Sequence, residues 1–439
     1  MKQKLFRRNA PWFVGLGMLA MTLVTQTFAS VYMFYYVEVL GLSIVTFTLA
    51  KTVYMIWDAL NDPLSGVISD RTRSKLGRRR FWLILASPLL IVGFVMIFTP
   101  PGAAIDAGSK TGLAWWLLLS LMVIETACGF LWVNYETVYP EIYSGDRERS
   151  KGETWKVVFE ILGVLLSAGI GLSIYYALGA TNMALVISGA YLLLMGGCVA
   201  TIRENPKHQE EPRIKVWKSF RETLSNKPFW AFNIANLLAQ TVNATMAGLL
   251  LFYGKYCLKI DDDRMTIVMV VAFAPVVGLV FVWDFLVRKW GAKKAWQRSL
   301  LIFAVCCVPM FFANNFITGV IAAFFVGFGM AGYLMTPGVM RGRIVDEDVR
   351  VYGQRREGVI TSIASFIRQI SPIISAVIVL VMGLLTGYKN GEEPGPYPEI
   401  TFRILLSVVP IILLVSAFFI SRGCTGFDQD MPPETAESE

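Results

Sequence analysis

Charged residues are scarce in this chain of 439 residues, and histidine occurs only once. Charged residues make up 16% of the chain, compared with about 25% in soluble domains, whereas 55% of the residues are hydrophobic. The mean hydropathy of +0.55 indicates an integral membrane protein. The net charge of +8 comes from short basic clusters between apolar runs, not from a basic domain. We therefore expect no nucleic-acid partner.

The motifs of several enzyme classes are also missing. The six cysteines form no CxxC pair, and most of them lie inside apolar runs. Neither a disulfide framework nor a metal site is therefore expected. The chain has no HExxH motif for a zinc enzyme, no Gly-x-Gly-Asp sequence for an intramembrane aspartyl enzyme and no P-loop for ATP. We expect a protein that is not an enzyme and is not driven by ATP.

Apolar segments long enough to cross the roughly 30 Å hydrocarbon core of a bilayer occur twelve times. They lie at 11–37, 44–69, 80–99, 113–139, 155–177, 181–202, 228–254, 265–288, 298–314, 316–340, 357–386 and 402–421. We predict an all-α integral membrane fold with two pseudo-symmetric six-helix halves. The predicted division is an N-terminal half at 1–203 with the cation site, a cytoplasmic linker at 204–227, a C-terminal half at 228–422 and a cytoplasmic tail at 423–439.

Basic clusters recur in alternate loops, at 2–8, 71–80, 147–151, 203–221, 288–298, 341–356 and Arg422. The opposite loops at 100–112 and 388–399 carry few lysines or arginines. The positive-inside rule therefore predicts a multi-pass protein of the cell membrane, an inner membrane in bacteria, with both termini in the cytoplasm. The basic start followed by an apolar run resembles a signal peptide, but the run continues to residue 37. We expect an uncleaved first span.

Two carboxylates interrupt the second apolar segment, in the run 57–63 that reads WDALNDP. Asp58 and Asp62 are four residues apart, so a helix places both on one face, with Asn61 beside them. One charged Asp at the bilayer centre costs roughly 2.5–3.5 kcal/mol, so the pair needs water, a cation, a proton or a partner base. The oxygens suit a hard cation such as sodium, and the carboxylates can also carry a proton. The alternative is a buried ion pair, for which Lys51 is a poor partner because it lies about 10 Å along the helix.

An acid at a helix end followed by basic residues occurs twice. Asp70 precedes the basic loop 71–80, and Asp284 precedes the basic segment 288–294. Such an internal repeat is expected of two related halves around a central site. We predict a conformational latch, which pairs in one state and releases in the other, formed by Asp70, Arg71, Arg73, Gly77, Asp284, Arg288 and Gly291. The alternative is that both loops act only as positive topology anchors.

Polar residues in other spans are candidates for substrate binding. The seventh span places four amides on one helical face, where they can bind hydroxyl groups or bond to neighbouring helices: Asn233, Asn236, Gln240 and Asn243. Further intramembrane polar residues are Glu125, Asn134, Glu136, Lys156, Glu160, Arg368 and Gln369. Arg368 either balances the acids of the second span or clamps an anionic substrate group. Trp132, one helical turn before Glu136, is a candidate stacking surface.

Together these motifs resemble those of the glycoside-pentoside-hexuronide:cation symporter family of the major facilitator superfamily, which includes the melibiose permease. The resemblance covers nearly the whole chain and rests on 35–43 (YYVEVLGLS), 57–63, 70–78 (DRTRSKLGR), 147–151 (RERSK), Asp346 and 353–358 (GQRREG). It implies the major facilitator fold. It also implies that Asp58, Asn61 and Asp62 bind a coupling sodium, lithium or proton.

The positions that bind substrate depart from this family pattern. Where sugar-transporting members of the melibiose type carry aspartates on spans one and four, this chain has Thr22 and Trp132. Lys156 stands in place of an arginine, and Gln369 replaces a lysine, with Arg368 beside it. These changes argue against galactoside recognition and favour an anionic sugar such as a hexuronide, or a less polar substrate. The resemblance also includes distant relatives that carry lysolipids.

We therefore predict a secondary active transporter that couples sodium or proton entry to uptake of a sugar or glycoside by alternating access. One form of this prediction is an anionic sugar as substrate. The alternatives are transport of a lipid-like or other non-sugar organic solute, and a non-transporting membrane receptor. The predicted partners are the small-molecule substrate, the coupling cation and the lipid bilayer, around a monomer without a cofactor.

Overall fold

The computed structural model describes residues 9–102, 110–143, 145–204, 216–352, 357–387 and 396–424. All regular secondary structure in these ranges is helical, and the predicted all-α fold is confirmed. In chain order the first helices are α1 (Pro11–Phe34), α2 (Ile44–Arg71), α3 (Arg78–Phe98), α4 (Thr111–Ile142), α5 (Asp146–Leu166), α6 (Leu172–Thr201) and α7 (Val216–Ser225).

The remaining helices are α8 (Lys227–Tyr253), α9 (Asp262–Trp290), α10 (Ala292–Cys306), α11 (Pro309–Phe312), α12 (Phe316–Tyr352), α13 (Glu357–Arg368), α14 (Ser371–Thr386), α15 (Pro398–Arg403) and α16 (Val409–Ser421). Short π-helical turns follow α1, α5, α8 and α15, at Tyr35–Val39, Ser167–Gly171, Gly254–Leu258 and Ile404–Val408. Each of the twelve predicted spans therefore corresponds to one helix or to a run of consecutive helical segments.

The fifth and sixth spans are joined without a loop. Helical structure continues from α5 through the π-helical turn into α6, and the chain turns at Gly179, inside the range Leu172–Thr201. Gly179 has φ of +83°, which a residue without a Cβ adopts at little cost. The two spans are thus separated by one glycine.

Membrane-crossing helices account for most of the described chain. Nine of the described helical segments are long and apolar enough to cross a bilayer, which supports a multi-pass membrane protein. The long helices α2, α5 and α8 fall outside this group, and they carry the paired aspartates, Lys156 and the four amides. These polar side chains explain why the three helices are less apolar than the other nine segments.

The chain divides into two compact units. The first unit comprises Met1–Tyr143, Trp155–Ser219 and Tyr352–Ile363, and the second comprises Ser144–Thr154, Phe220–Val351 and Ala364–Glu439. The first turns of α5 thus group with the later helices, and the start of α13 groups with the earlier ones. The division into halves at 1–203 and 228–422 stays a prediction.

In the first unit, buried apolar side chains of α1, α3, α4 and α6 form one continuous core. Tyr135 on α4 joins this core to α1, because its hydroxyl donates to the Val14 carbonyl (2.8 Å) and accepts from the Met18 N–H (3.0 Å). A Cβ at Gly17 would lie 2.6 Å from the Tyr135 ring. Glycine therefore allows α1 to approach α4 closely at this level.

Candidate functional site

Helix α2 carries Asp58, Asn61 and Asp62 on one face, as predicted. The helix begins after Ser43, whose hydroxyl accepts from the Thr46 N–H (3.2 Å). Asn61 and Asp62 are buried, with 3% and 6% of their surface exposed. Two polar side chains are thus held out of solvent on a helix that the sequence places in the membrane.

The face of α2 that carries these residues packs against α4. The Asn61 side-chain amide donates to the Glu125 carbonyl (2.7 Å), and the Trp57 indole N–H donates to the Thr126 hydroxyl (3.0 Å). A Cβ at Gly129 would lie 2.1 Å from Asn61 Nδ2. The bare backbone at Gly129 therefore makes room for the polar face of α2.

The carboxyl groups of Asp58 on α2 and Glu125 on α4 share a hydrogen bond. Ionised carboxylates are only acceptors, so a hydrogen bond between two of them requires a proton, and two ionised groups at this range require a cation. Asp62 adds a third carboxyl group close by. Within the described part of the chain, no three His, Cys, Asp or Glu side chains form a ready-made metal cage. The site is suited to taking up a single positive charge.

A cavity of about 130 Å³ adjoins this carboxyl pair in the first unit, among α1, α3 and α4. Three aromatic and three aliphatic side chains supply most of its lining, and the other lining residues are Thr25, Glu125 and Cys128. Trp132 is one of the aromatic residues, at the position predicted as a stacking surface. Glu125 therefore belongs both to the carboxyl pair and to the cavity wall.

The other substrate residues predicted in the first unit lie in packed surroundings. Thr22 is buried, and a Cβ at Gly163 would lie 2.8 Å from its Cβ. Asn134 donates to the Phe130 carbonyl of its own helix (2.8 Å). Lys156 donates to both carboxylate oxygens of Glu136 (3.2 and 3.3 Å). The charge of Lys156 is thus balanced by an acid from α4.

The remaining predicted substrate residues belong to the second unit. Asn233 donates to the Phe229 carbonyl of its own helix (2.8 Å), and Gln240 accepts from the Tyr333 hydroxyl of α12. Asn236 and Asn243 are half-buried on the same helix. Arg368 donates to the Ser365 hydroxyl (3.2 Å), and Gln369 follows it at the end of α13. The contact of Gln240 matches the alternative of bonding between helices.

A buried charge network surrounds Asp70 in the first unit. The Asp70 carboxylate accepts from the backbone N–H groups of Gly358 (3.1 Å) and Val359 (2.9 Å), at the start of α13, and from the Arg79 guanidinium. Glu141 accepts from Arg79 (2.7 Å) and Arg78 (2.9 Å). Arg78 also pairs with Glu357 (2.8 Å). Four members of this network lie outside the predicted latch: Arg78, Arg79, Glu141 and Glu357.

The predicted latch arginines Arg71 and Arg73 are exposed. Arg73 donates to the backbone carbonyls of Asp70 and Thr72, both at 3.3 Å. The arginines that enter the buried network are the first two residues of α3, because the helix begins at Arg78 and turns these side chains inward. Position within the basic run thus decides which arginines are buried.

Gly77 lies just before α3, with φ of +103°. The Glu204 carboxylate caps this helix, accepting from the backbone N–H groups of Arg78 (2.8 Å), Arg79 (3.0 Å) and Arg80 (2.7 Å). A Cβ at Gly77 would lie 2.5 Å from a Glu204 oxygen. Burial raises the pKa of the Glu204 carboxyl, and the backbone donors act in the opposite sense. Glycine is therefore required at position 77 by both its backbone angle and this cap.

The second unit contains a matching set of charges around Asp284. Asp284 accepts from the Ser150 hydroxyl and from Arg288 (2.6 Å). Nearby pairs join Arg149 to Asp346 (2.9 Å) and Arg343 to Asp146 (2.7 Å). Gly291 ends α9 with φ of +78°. The repeat read from the sequence thus has a structural counterpart in each unit.

Comparison with known proteins identifies the family. A family model described as MFS/sugar transport protein matches residues 13–422. The chain belongs to this family. The transporter is also similar to the Escherichia coli protein YagG, which carries the provisional name glycoside/cation symporter, with 24% identity over 92% of this chain and 89% of YagG. The resemblance to cation symporters of the major facilitator superfamily is thereby confirmed.

Two further comparisons bear on substrate and fold. Mouse sodium-dependent lysophosphatidylcholine symporter 1 is 23% identical over 88% of this chain and 78% of its own length. The crystal structure of FucP, a major facilitator superfamily transporter in the outward conformation, has a TM-score of 0.69 at 14% identity and covers 95% of this chain and 99% of FucP. The FucP match shows that the transporter has the major facilitator fold.

Glu125 is the member of this carboxyl pair that the predicted cation site lacks. The sequence marks Glu125 as an intramembrane polar residue, but the acids of α2 precede it by more than sixty positions, so local spacing does not connect them. One available signal was the i,i+4 pair of Glu125 and Gly129, because an acid and a bare backbone on one helical face leave room for a polar partner helix. The transporter therefore has carboxyl groups on both sides of the α2–α4 contact.

Substitution of Gly129 tests this contact directly. Gly129→Ala is expected to destabilise the transporter by about 1–3 kcal/mol, because the added Cβ would lie 2.1 Å from Asn61 Nδ2. Gly189→Ala is the matched control, since a Cβ on that exposed glycine meets nothing within 4 Å. Thermal unfolding of the two purified variants is the measurement. Equal unfolding temperatures would contradict the close approach of α2 to α4.

Proposed function

We propose that this transporter performs cation-coupled symport of a sugar or glycoside, with Asp58, Asn61, Asp62 and Glu125 as the ion site. The observation that carries the proposal is the hydrogen-bonded Asp58–Glu125 carboxyl pair beside the buried Asp62. A group of acids on membrane-spanning helices takes up a proton or a cation at much lower cost than it remains fully ionised. The family description and the name of YagG support a sugar or glycoside.

Symport follows if ion and substrate each raise the affinity for the other. Substrate and ion then cross the membrane together, and an ion gradient drives accumulation of the substrate. A proton would be shared by Asp58 and Glu125. A sodium ion would use the Asp58 and Asp62 carboxylates together with the Asn61 amide oxygen.

Lys156 and Arg368 determine whether the site can bind a negatively charged substrate. Lys156 is paired with Glu136, so it offers little unbalanced positive charge to an anionic sugar. An anionic substrate such as a hexuronide therefore relies on Arg368 as its clamp. A lipid-like solute is the second candidate, supported by the name of the mouse relative and by the mainly apolar cavity beside Glu125.

The Asp70 network is proposed to act as the conformational latch. Its carboxylate binds the start of α13 through two backbone N–H groups, and a helix N-terminus favours a negative charge. Separation of α13 from α2 would leave the Asp70 carboxylate without these two donors and Arg78 without Glu357. The latch therefore favours the arrangement seen here until ligand binding offsets the loss.

Uptake into proteoliposomes tests the proposed function. The purified transporter is reconstituted and offered neutral glycosides, uronides and lysolipids, each under an imposed sodium gradient, a pH gradient or no gradient. Accumulation of one substrate class under one ion gradient is the expected result. Uptake that ignores both gradients for every substrate would exclude ion-coupled symport, and no uptake at all would favour the receptor alternative.

A further inference from the structure

The cavity beside Glu125 indicates what part of a substrate it can hold. Its volume of about 130 Å³ is close to the roughly 150 Å³ of an engineered apolar cavity that stays dry and binds benzene. Phe28, Phe94 and Trp132 contribute aromatic surface to its wall. The space and its surface therefore match one six-membered carbon ring or a short branched alkyl chain.

A sugar ring or a charged group fits this cavity poorly. Each sugar hydroxyl needs a hydrogen-bond partner when it leaves water. The polar groups of the wall come from Thr25, Cys128, Glu125 and the Trp132 indole, and Glu125 already bonds to Asp58. The described lining contains no lysine or arginine that would balance an anion. The chemistry of the wall thus favours an uncharged, apolar occupant.

We propose that this cavity receives an apolar portion of the transported solute, such as the aryl or branched alkyl aglycone of a glycoside. This proposal rests on the proposed function as a symporter and narrows its substrate class to amphiphilic molecules. The polar portion of the solute lies outside the cavity. A glycoside with a bulky apolar aglycone is therefore bound better than its methyl counterpart.

The position of Glu125 links this occupant to the ion. An apolar group in the cavity excludes water from the Glu125 carboxyl, and an uncompensated carboxylate is costly without water. The filled cavity consequently favours the Asp58–Glu125 pair with its proton or cation bound. By reciprocity, the bound ion favours the filled cavity. The coupling arises because one carboxyl group belongs to both sites.

Cys128 provides a reporter inside the cavity wall. The full-length transporter is treated with a small methanethiosulfonate, and peptide mass spectrometry follows modification of the Cys128 thiol alone. The probes are matched methyl and phenyl β-glycosides of glucose, galactose and glucuronic acid, together with lysophosphatidylcholine. The phenyl member of at least one pair is expected to slow modification about tenfold more than its methyl partner. Burial of an aromatic ring adds enough binding free energy for a tenfold gain in affinity.

Two variants separate a cavity effect from a change elsewhere. Trp132→Ala is expected to abolish the difference between phenyl and methyl probes. Trp115→Ala, on the exposed face of the same helix, should retain the difference. The proposal is overturned if no phenyl glycoside and no lysolipid protects Cys128 better than the methyl glycosides, or if Cys128 never reacts. Because this assay measures binding alone, its outcome is independent of whether proteoliposomes show ion-driven uptake.

Discussion

Asp58→Asn is expected to abolish ion-driven uptake, with a loss of about 100-fold or more, the upper range of coupling between two ligands. The amide has nearly the shape of the carboxyl group and can donate to Glu125 without any added proton or cation. The variant therefore keeps the α2–α4 contact and loses the requirement for an ion. Uptake into proteoliposomes under imposed sodium and pH gradients is the measurement.

Asp62→Asn should show the same loss if both aspartates serve the ion. Glu148→Gln is the matched control, because Glu148 is an exposed acid at the start of α5. Size-exclusion chromatography checks that each variant is folded. If both aspartate variants accumulate substrate as the wild type does under either gradient, the assignment of the ion site is wrong.

Glu125→Gln distinguishes between the two ions. A glutamine removes the carboxyl that shares a proton with Asp58 but leaves Asp58, Asn61 and Asp62 available to sodium. If the variant no longer accumulates substrate under a pH gradient, the transporter is proton-coupled. Retained sodium-driven uptake in the same variant would assign the sodium ligands to α2.

Arg79→Met is expected to lower the free energy of unfolding by about 3–5 kcal/mol, the cost of breaking a buried ion pair. The network contains three acids, Asp70, Glu141 and Glu357, and two guanidinium groups, from Arg78 and Arg79. Removal of one guanidinium leaves Arg78 as the guanidinium that compensates these acids, beside the backbone N–H groups at the start of α13. Thermal or denaturant unfolding of the purified transporter measures the effect.

A second substitution tests whether charge is the cause. Glu141→Gln in the Arg79→Met background removes one unbalanced acid and should recover part of the stability. Lys75→Met, in the exposed part of the same loop, should change the stability by no more than about 0.5 kcal/mol. An Arg79→Met variant as stable as the Lys75→Met variant would contradict a buried charge network.

Apolar runs predicted the helices well, because a bilayer requires about twenty apolar residues in a helix that satisfies its own backbone. The same argument is weakest where spans carry polar residues or meet without a loop. The fifth and sixth spans are separated by Gly179 within continuous helical structure. Apolar runs also do not predict the extension of α12 to Tyr352, because the last turns of this helix carry charged residues.

The paired aspartates were predictable from local spacing, whereas their partner on α4 was not. Asp58 and Asp62 share a face because they are four residues apart, but contact with Glu125 depends on how α2 packs against α4. The latch shows the same limit. Hydropathy marks the run 71–80 as basic, but the helix start at Arg78 decides that Arg78 and Arg79 are buried while Arg71 and Arg73 are exposed.

Ion movement that accompanies substrate entry is the most direct test of ion coupling at the carboxyl site. Proteoliposomes containing wild type or Asp58→Asn receive a substrate identified by the uptake panel, with no ion gradient imposed. A trapped pH or sodium indicator then follows the interior. The expected result is that wild type carries protons or sodium inward with substrate and that Asp58→Asn carries neither. Substrate entry into wild-type vesicles without movement of either ion would contradict the account.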